Sequence, residues 1–124
     1  SPPEDAPVPQ HDPRALLKEG VARHQAGDLD GAERLYRKAA ASRPADADGH
    51  NLLGVVARQR GDPRAALRHT GRALALQPDA PVFLANHGGA LAQARELRET
   101  VGFLRAALRR RPDDPGGLND LLRA

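Results

Sequence analysis

The chain repeats itself, and the length of the repeat settles most of what it can fold into. Pro44, Pro78 and Pro112 fall 34 residues apart, as do Ala39, Ala73 and Ala107 and, earlier in each unit, Gly20, Gly54 and Gly88. The segments GDLDGAERLYRKAAASRP (27–44) and GDPRAALRHTGRALALQP (61–78) share their punctuation: Gly-Asp first, small residues at matched places, Pro last. The third unit departs at two places. Thr100 stands where Ala32 and Ala66 do, and Arg95 stands where Gly27 and Gly61 do. A period in this range belongs to arrays in which each unit stacks on the next, because one unit alone cannot bury its apolar face.

Within each unit the apolar spacing is helical, not alternating. Asp12-Pro13, Asp62-Pro63 and Asp114-Pro115 each set a capping carboxylate before a proline at the first helical position, and Asp28 follows Gly27 in the same way. Gly27 and Gly61 sit where a helix ends in a left-handed residue. These signals predict helices over about 13–26, 29–42, 47–60, 63–76, 81–94 and 97–110, with a short seventh over about 116–123. Where the two helices of a unit cross, only Gly or Ala lets the backbones approach, so Gly20 against Ala32 and Gly54 against Ala66 are the expected contacts. Arg95 in a left-handed position costs about 1 kcal/mol relative to Gly, and Gly71 and Gly102 interrupt second helices. The third unit is therefore expected to be the soft one.

Residues 1–12 hold four prolines and read as a Pro-rich, disordered linker; residues 13–124 read as repeats over about 13–46, 47–80 and 81–114 with a partial cap at 115–124. The apolar content is Ala, Leu and Val, with Tyr36, Phe83 and Phe103 the only aromatic residues, which suits close helix-on-helix packing. There is no cysteine, so neither a disulfide framework nor thiol chemistry is available; a reducing, cytoplasmic setting fits. No apolar run approaches the ~20 residues of a membrane span, and no signal peptide is visible. The chain starts at Ser1 and holds no Met, as a piece cut from something longer would.

At these residues the chain resembles the tetratricopeptide-repeat (TPR) family. The first unit supplies that pattern with Gly20, Ala32, Tyr36, Ala39 and Pro44, and the second with Gly54, Ala66, Ala73 and Pro78, with Thr70 in the aromatic place. The third keeps Gly88, Ala107 and Pro112 and has Leu104 in the aromatic place. The resemblance implies an all-α solenoid of three TPR helix pairs plus a short C-terminal capping helix. It also implies a peptide-binding groove lined by the first helix of each pair: Leu17, Val21, His24 and Gln25; then Asn51, Val55, Arg58 and Gln59; then Ala85, Asn86, Gly89, Ala92 and Gln93. An amide offers a donor and an acceptor together, which suits an extended peptide backbone. The asparagine-bearing, bacterial-looking repeats are similar to those of O-linked N-acetylglucosamine transferases, although only Asn86 stands at the matching place. The Lys/Asn clamp of chaperone-binding members is not expected, since Leu17 and Val21 occupy its places.

Catalysis finds no support in the sequence. His24, His50, His69 and His87 are scattered over different repeat places without ligand spacing, and no HExxH, phosphate loop or nucleophile elbow occurs. No cofactor and no metal are expected. Arg64, Arg68 and Arg72 with Arg34, Arg37, Arg98, Arg105 and Arg109 suggest a basic outer face. Glu33, Glu96 and Glu99 break it, no aromatic residues interleave for base stacking, and the net charge is only +3, so nucleic acid is disfavoured. The reading is a non-catalytic protein–protein interaction module that holds a protein or peptide ligand. The alternatives are a substrate-docking or regulatory domain of a larger modifying enzyme, such as a glycosyltransferase, and a module that self-associates into homo-oligomers through exposed solenoid ends.

Overall fold

Four aspartates start four helices. In the computed structural model, which describes residues 12–110, α1 (Pro13–Gln25), α2 (Leu29–Ser42), α3 (Ala47–Gln59) and α4 (Pro63–Leu76) precede a long α5 (Pro81–Arg110). The carboxylates of Asp12, Asp28, Asp46 and Asp62 accept from the backbone N–H groups of Arg14, Gly31, Asp48 and Ala65 at 2.9–3.1 Å. Three of these caps follow from the sequence pattern. Asp46, which has no Pro behind it, does not. Gly27 (φ 86°) and Gly61 (φ 78°) are the only described residues with positive φ, and they turn the chain between α1 and α2 and between α3 and α4. Beyond each of them the next N–H reaches back into the helix, Asp28 to the Arg23 carbonyl and Asp62 to the Ala57 carbonyl, both at 2.9 Å.

The cap at Asp28 carries a pH dependence. The Gly31 N–H, and then the Arg23 guanidinium, hold its carboxyl below the usual carboxylate range. A depressed folded-state pKa adds stability that is complete above the unfolded value and disappears as pH falls through the folded one. The urea midpoint should therefore drop below about pH 4. Asp28→Asn, which keeps the capping oxygen and loses the charge, should flatten that acid limb in a urea titration run from about pH 7 to about pH 3.

The chain divides into two compact units at Leu91/Ala92. In the first, the core is a run of small side chains around a few large ones. Leu16, Leu17, Ala32, Tyr36, Ala39, Leu53 and Val56 pack together across α1, α2 and α3. Ala57, Ala65, Ala66 and Ala90 form a second cluster, and Ala47, Ala73 and Phe83 a third. The glycines at the helix crossings work as expected, with a change of neighbour. A Cβ on Gly20 would stand 2.5 Å from the Tyr36 ring rather than against Ala32, and one on Gly54 would stand 2.6 Å from the Thr70 methyl and 3.3 Å from the Ala66 carbonyl.

One expectation is corrected. The helices foreseen at 81–94 and 97–110 are a single helix, α5. The place that Gly27 and Gly61 fill in the first two units belongs to Arg95, which is not at positive φ, so the left-handed cost is avoided by not turning. The sequence around it, QARELRET, contains no Gly, Pro or Asp to stop a helix. Arg95 Nε donates to Glu99 Oε1 at 3.0 Å, an i,i+4 pair that favours continuation. The linker over 1–11 and the capping helix and partial repeat expected over 115–124 lie outside the described residues.

Candidate functional site

The first unit contains a groove of about 520 Å³ built from three segments. From α1 come Arg14, Leu17, Lys18 and Val21, spaced so that all four share one helical face. From α3 come Asp48, Asn51 and Leu52, and from the start of α5 come Pro81, Val82 and Phe83 with Ala80 before them. The floor is apolar. Leu17 and Phe83 are buried, Val21 and Leu52 are half-buried, and Val82 stands 62% exposed. The charges separate along the rim, with Arg14 and Lys18 on the α1 side and Asp48 on the α3 side.

Of the residues expected to line a groove, this one gathers Leu17, Val21 and Asn51. Asn86 is tied to it indirectly: its Nδ2 donates to Asn51 Oδ1 at 2.9 Å. Asn51 itself is 7% exposed.

The remaining expected residues form other contacts. His24 Nδ1 lies 3.1 Å from the Tyr36 hydroxyl, and its Nε2 is hydrogen-bonded to Gln59 Oε1. The tautomer that fits both is Nε2–H donating to Gln59 while the Tyr36 hydroxyl donates to Nδ1. Gln25 is exposed and Val55 half-buried. The exposed Arg58 lays its guanidinium into the space a Cβ on Gly89 would need. Gln93 lies on α5 in the second unit.

Arg14, Lys18, Asp48, Leu52, Val82 and Phe83 were not anticipated. Arg14 and Lys18 share the face of Leu17 and Val21 and were legible as its polar edge. Val82 and Phe83 come from the following repeat, and no local pattern announces which side chains of one unit will close over another.

Like His24, two further histidines make internal bonds. His50 Nε2 is 2.8 Å from the Pro44 carbonyl, and His87 Nδ1 is 2.7 Å from Thr70 Oγ1, which itself donates to the Ala66 carbonyl. His69 sits in a crevice with Arg37 and Arg68, where burial first and the nearby guanidiniums second lower its pKa. Among the described residues no three His, Cys, Asp or Glu side chains converge as a metal site would require. Of the arginines expected on a basic outer face, Arg37 pairs with Glu33 at 3.1 Å, and Glu33 also pairs with Arg60, which bonds Asp30 as well. No described helix is long and apolar enough to cross a membrane.

Comparison with known proteins agrees on the architecture. No curated protein matches the sequence significantly. Among solved structures, the first TPR of Spaghetti (RPAP3), bound to the HSP90 peptide SRMEEVD, is similar with a TM-score of 0.66 at 18% identity over 94% of both chains. The Arabidopsis OM64 TPR domain is similar with a TM-score of 0.66 at 15% identity, over 94% of this chain and 96% of that one. At such identity the likeness is one of fold. A family model of the tetratricopeptide repeat matches residues 9–50 and 51–115, most of the chain, and the protein therefore belongs to the tetratricopeptide-repeat family.

Proposed function

We propose that this domain is a non-catalytic protein-interaction module that holds a peptide segment in the groove between α1, α3 and the start of α5. The observation that carries the reading is the groove itself, an open apolar floor of Leu17, Val21, Leu52, Val82 and Phe83 edged by groups that can fix register. Apolar side chains of the ligand supply affinity by covering that floor. The amide of Asn51, which lines the groove, bonds the ligand main chain. The separated rim charges favour a ligand whose acidic group faces Arg14 and Lys18 and whose basic group faces Asp48. The peptide held by one structural relative, the RPAP3 domain, supports the class of ligand and not its identity.

Selection from a random peptide library displayed on phage, followed by fluorescence anisotropy with the enriched peptides, tests the assignment. Val21→Asp and Val82→Asp place charge on the floor at positions that are not part of the deep core. Each should weaken binding by about tenfold or more while leaving the circular-dichroism spectrum unchanged. Enriched peptides that bind both variants as tightly as the native domain would remove the groove from consideration.

A further inference from the structure

We propose that the crevice bounded by α2, α3 and α4 is a second binding site, one that takes a single phosphate group, free or carried on a small monoester. The crevice lies wholly within the first compact unit. It shares no residue with the peptide groove, so the inference does not rest on the groove's assignment. Its polar walls are Glu33 and Arg37 of α2, Arg60 and Asp62 at the α3–α4 turn, and Arg68 and His69 of α4.

The carboxylates there are already engaged. Asp62 caps α4 through the Ala65 N–H at 3.1 Å, and Glu33 joins Arg37 at 3.1 Å and Arg60 at 3.4 Å. The cations are not balanced in return. Arg37 reaches Glu33 through Nε, a bond that does not use its Nη donors. Arg68 is exposed, Arg72 stands one turn further along α4, and neither has an ion-pair partner among the described residues. Around His69 the charges have one sign: Arg37 from α2, Arg68 and Arg72 from α4, and His50 from α3 when protonated.

His69 also differs from the other described histidines. His24, His50 and His87 each use a ring nitrogen in an internal hydrogen bond. His69 makes none among the described residues, and its Nδ1 is buried without a partner. An unsatisfied buried nitrogen and a set of like charges both cost stability, and one bound anion relieves both. A phosphate group offers oxygens in several directions, enough to meet two guanidiniums and an imidazolium at once. The volume, about 130 Å³, suits a group of that size. It is well short of the ~300–1,000 Å³ that larger organic ligands occupy.

Inorganic phosphate and O-phosphoserine, titrated separately at constant ionic strength set with sodium chloride, test the site through the His69 imidazole resonances. Those resonances are identified by their loss in His69→Gln. At least one of the two anions should shift them saturably, with half-saturation at about 1 mM or below. The bound anion favours the charged imidazole, so the His69 pKa, lowered in the free chain, should rise on saturation. Saturation by inorganic phosphate assigns a free anion, and saturation by O-phosphoserine alone assigns an esterified one. Arg68→Gln, on an exposed side chain, should weaken binding about tenfold or more with an unchanged circular-dichroism spectrum. Arg34→Gln removes the same charge from α2 outside the crevice and should change the affinity by less than about twofold. Shifts that never saturate, a His69 pKa that stays where it was, or an Arg68→Gln chain that loses no more than Arg34→Gln does would overturn the proposal.

Discussion

Alanine at Gly54 should destabilise the fold by about 1–3 kcal/mol, whereas alanine at Gly88 should leave it unchanged or add up to about 1 kcal/mol. Both residues lie inside helices and both occupy the same place in the repeat. Helix propensity alone therefore predicts the same gain for each. The surroundings decide the difference. On Gly54 the new methyl meets the Thr70 methyl at 2.6 Å, and behind it the Ala66 carbonyl at 3.3 Å and the Thr70 N–H at 3.4 Å, so backbone has to move. Thr70 cannot rotate out of the way without giving up its bonds to the Ala66 carbonyl and His87. On Gly88 the methyl meets nothing. Urea melts of the two variants should move in opposite directions or, at the least, separate clearly. Equal midpoints would mean that the close approach of α3 and α4 at Gly54 does not limit packing.

The residues that the sequence made legible are those whose physics is local. Gly27 and Gly61 are where the chain must take positive φ, and Asp12, Asp28 and Asp62 are where a helix needs an acceptor; each could be named without knowing what lay opposite. Arg95 shows the limit of repeat arithmetic. Register placed a turn there, but a turn is made by a residue and not by a count, and the local sequence favours helix.

The groove was half legible for a related reason. Leu17, Val21 and Asn51 follow from helical spacing, but their partners come from neighbouring units. Side-chain contacts between successive first helices join residues 35 apart, one more than the repeat: His24 with Gln59, and Asn51 with Asn86. The offset of one that sets Asn51 out of step with Asn86 in the repeat is what lets the two amides bond.

Tyr36→Ala should have the largest effect of any single substitution, a loss of about 3–5 kcal/mol. The core of the first unit is built mainly from alanine, leucine and valine, and Tyr36 is the largest side chain in it that is fully buried. Truncation removes a whole ring from the crossing of α1 and α2, and the nearest residue able to follow it inward, Gly20, has no side chain with which to do so. A domain of this size has only about 5–15 kcal/mol of stability to lose, so the variant should unfold at a far lower urea midpoint. Tyr36→Phe separates the ring from its hydroxyl. It keeps the packing and deletes the partner of His24 Nδ1, at a cost of about 0.5–1.5 kcal/mol. The hydroxyl matters beyond stability, because it selects the His24 tautomer that donates to Gln59. In the phenylalanine variant His24 is released from one side, and its imidazole resonances should report exchange between tautomers that the native chain does not show. If Tyr36→Ala cost no more than Tyr36→Phe, the ring would be a passenger, and the stability of the α1–α2 crossing would have to come from the small residues alone.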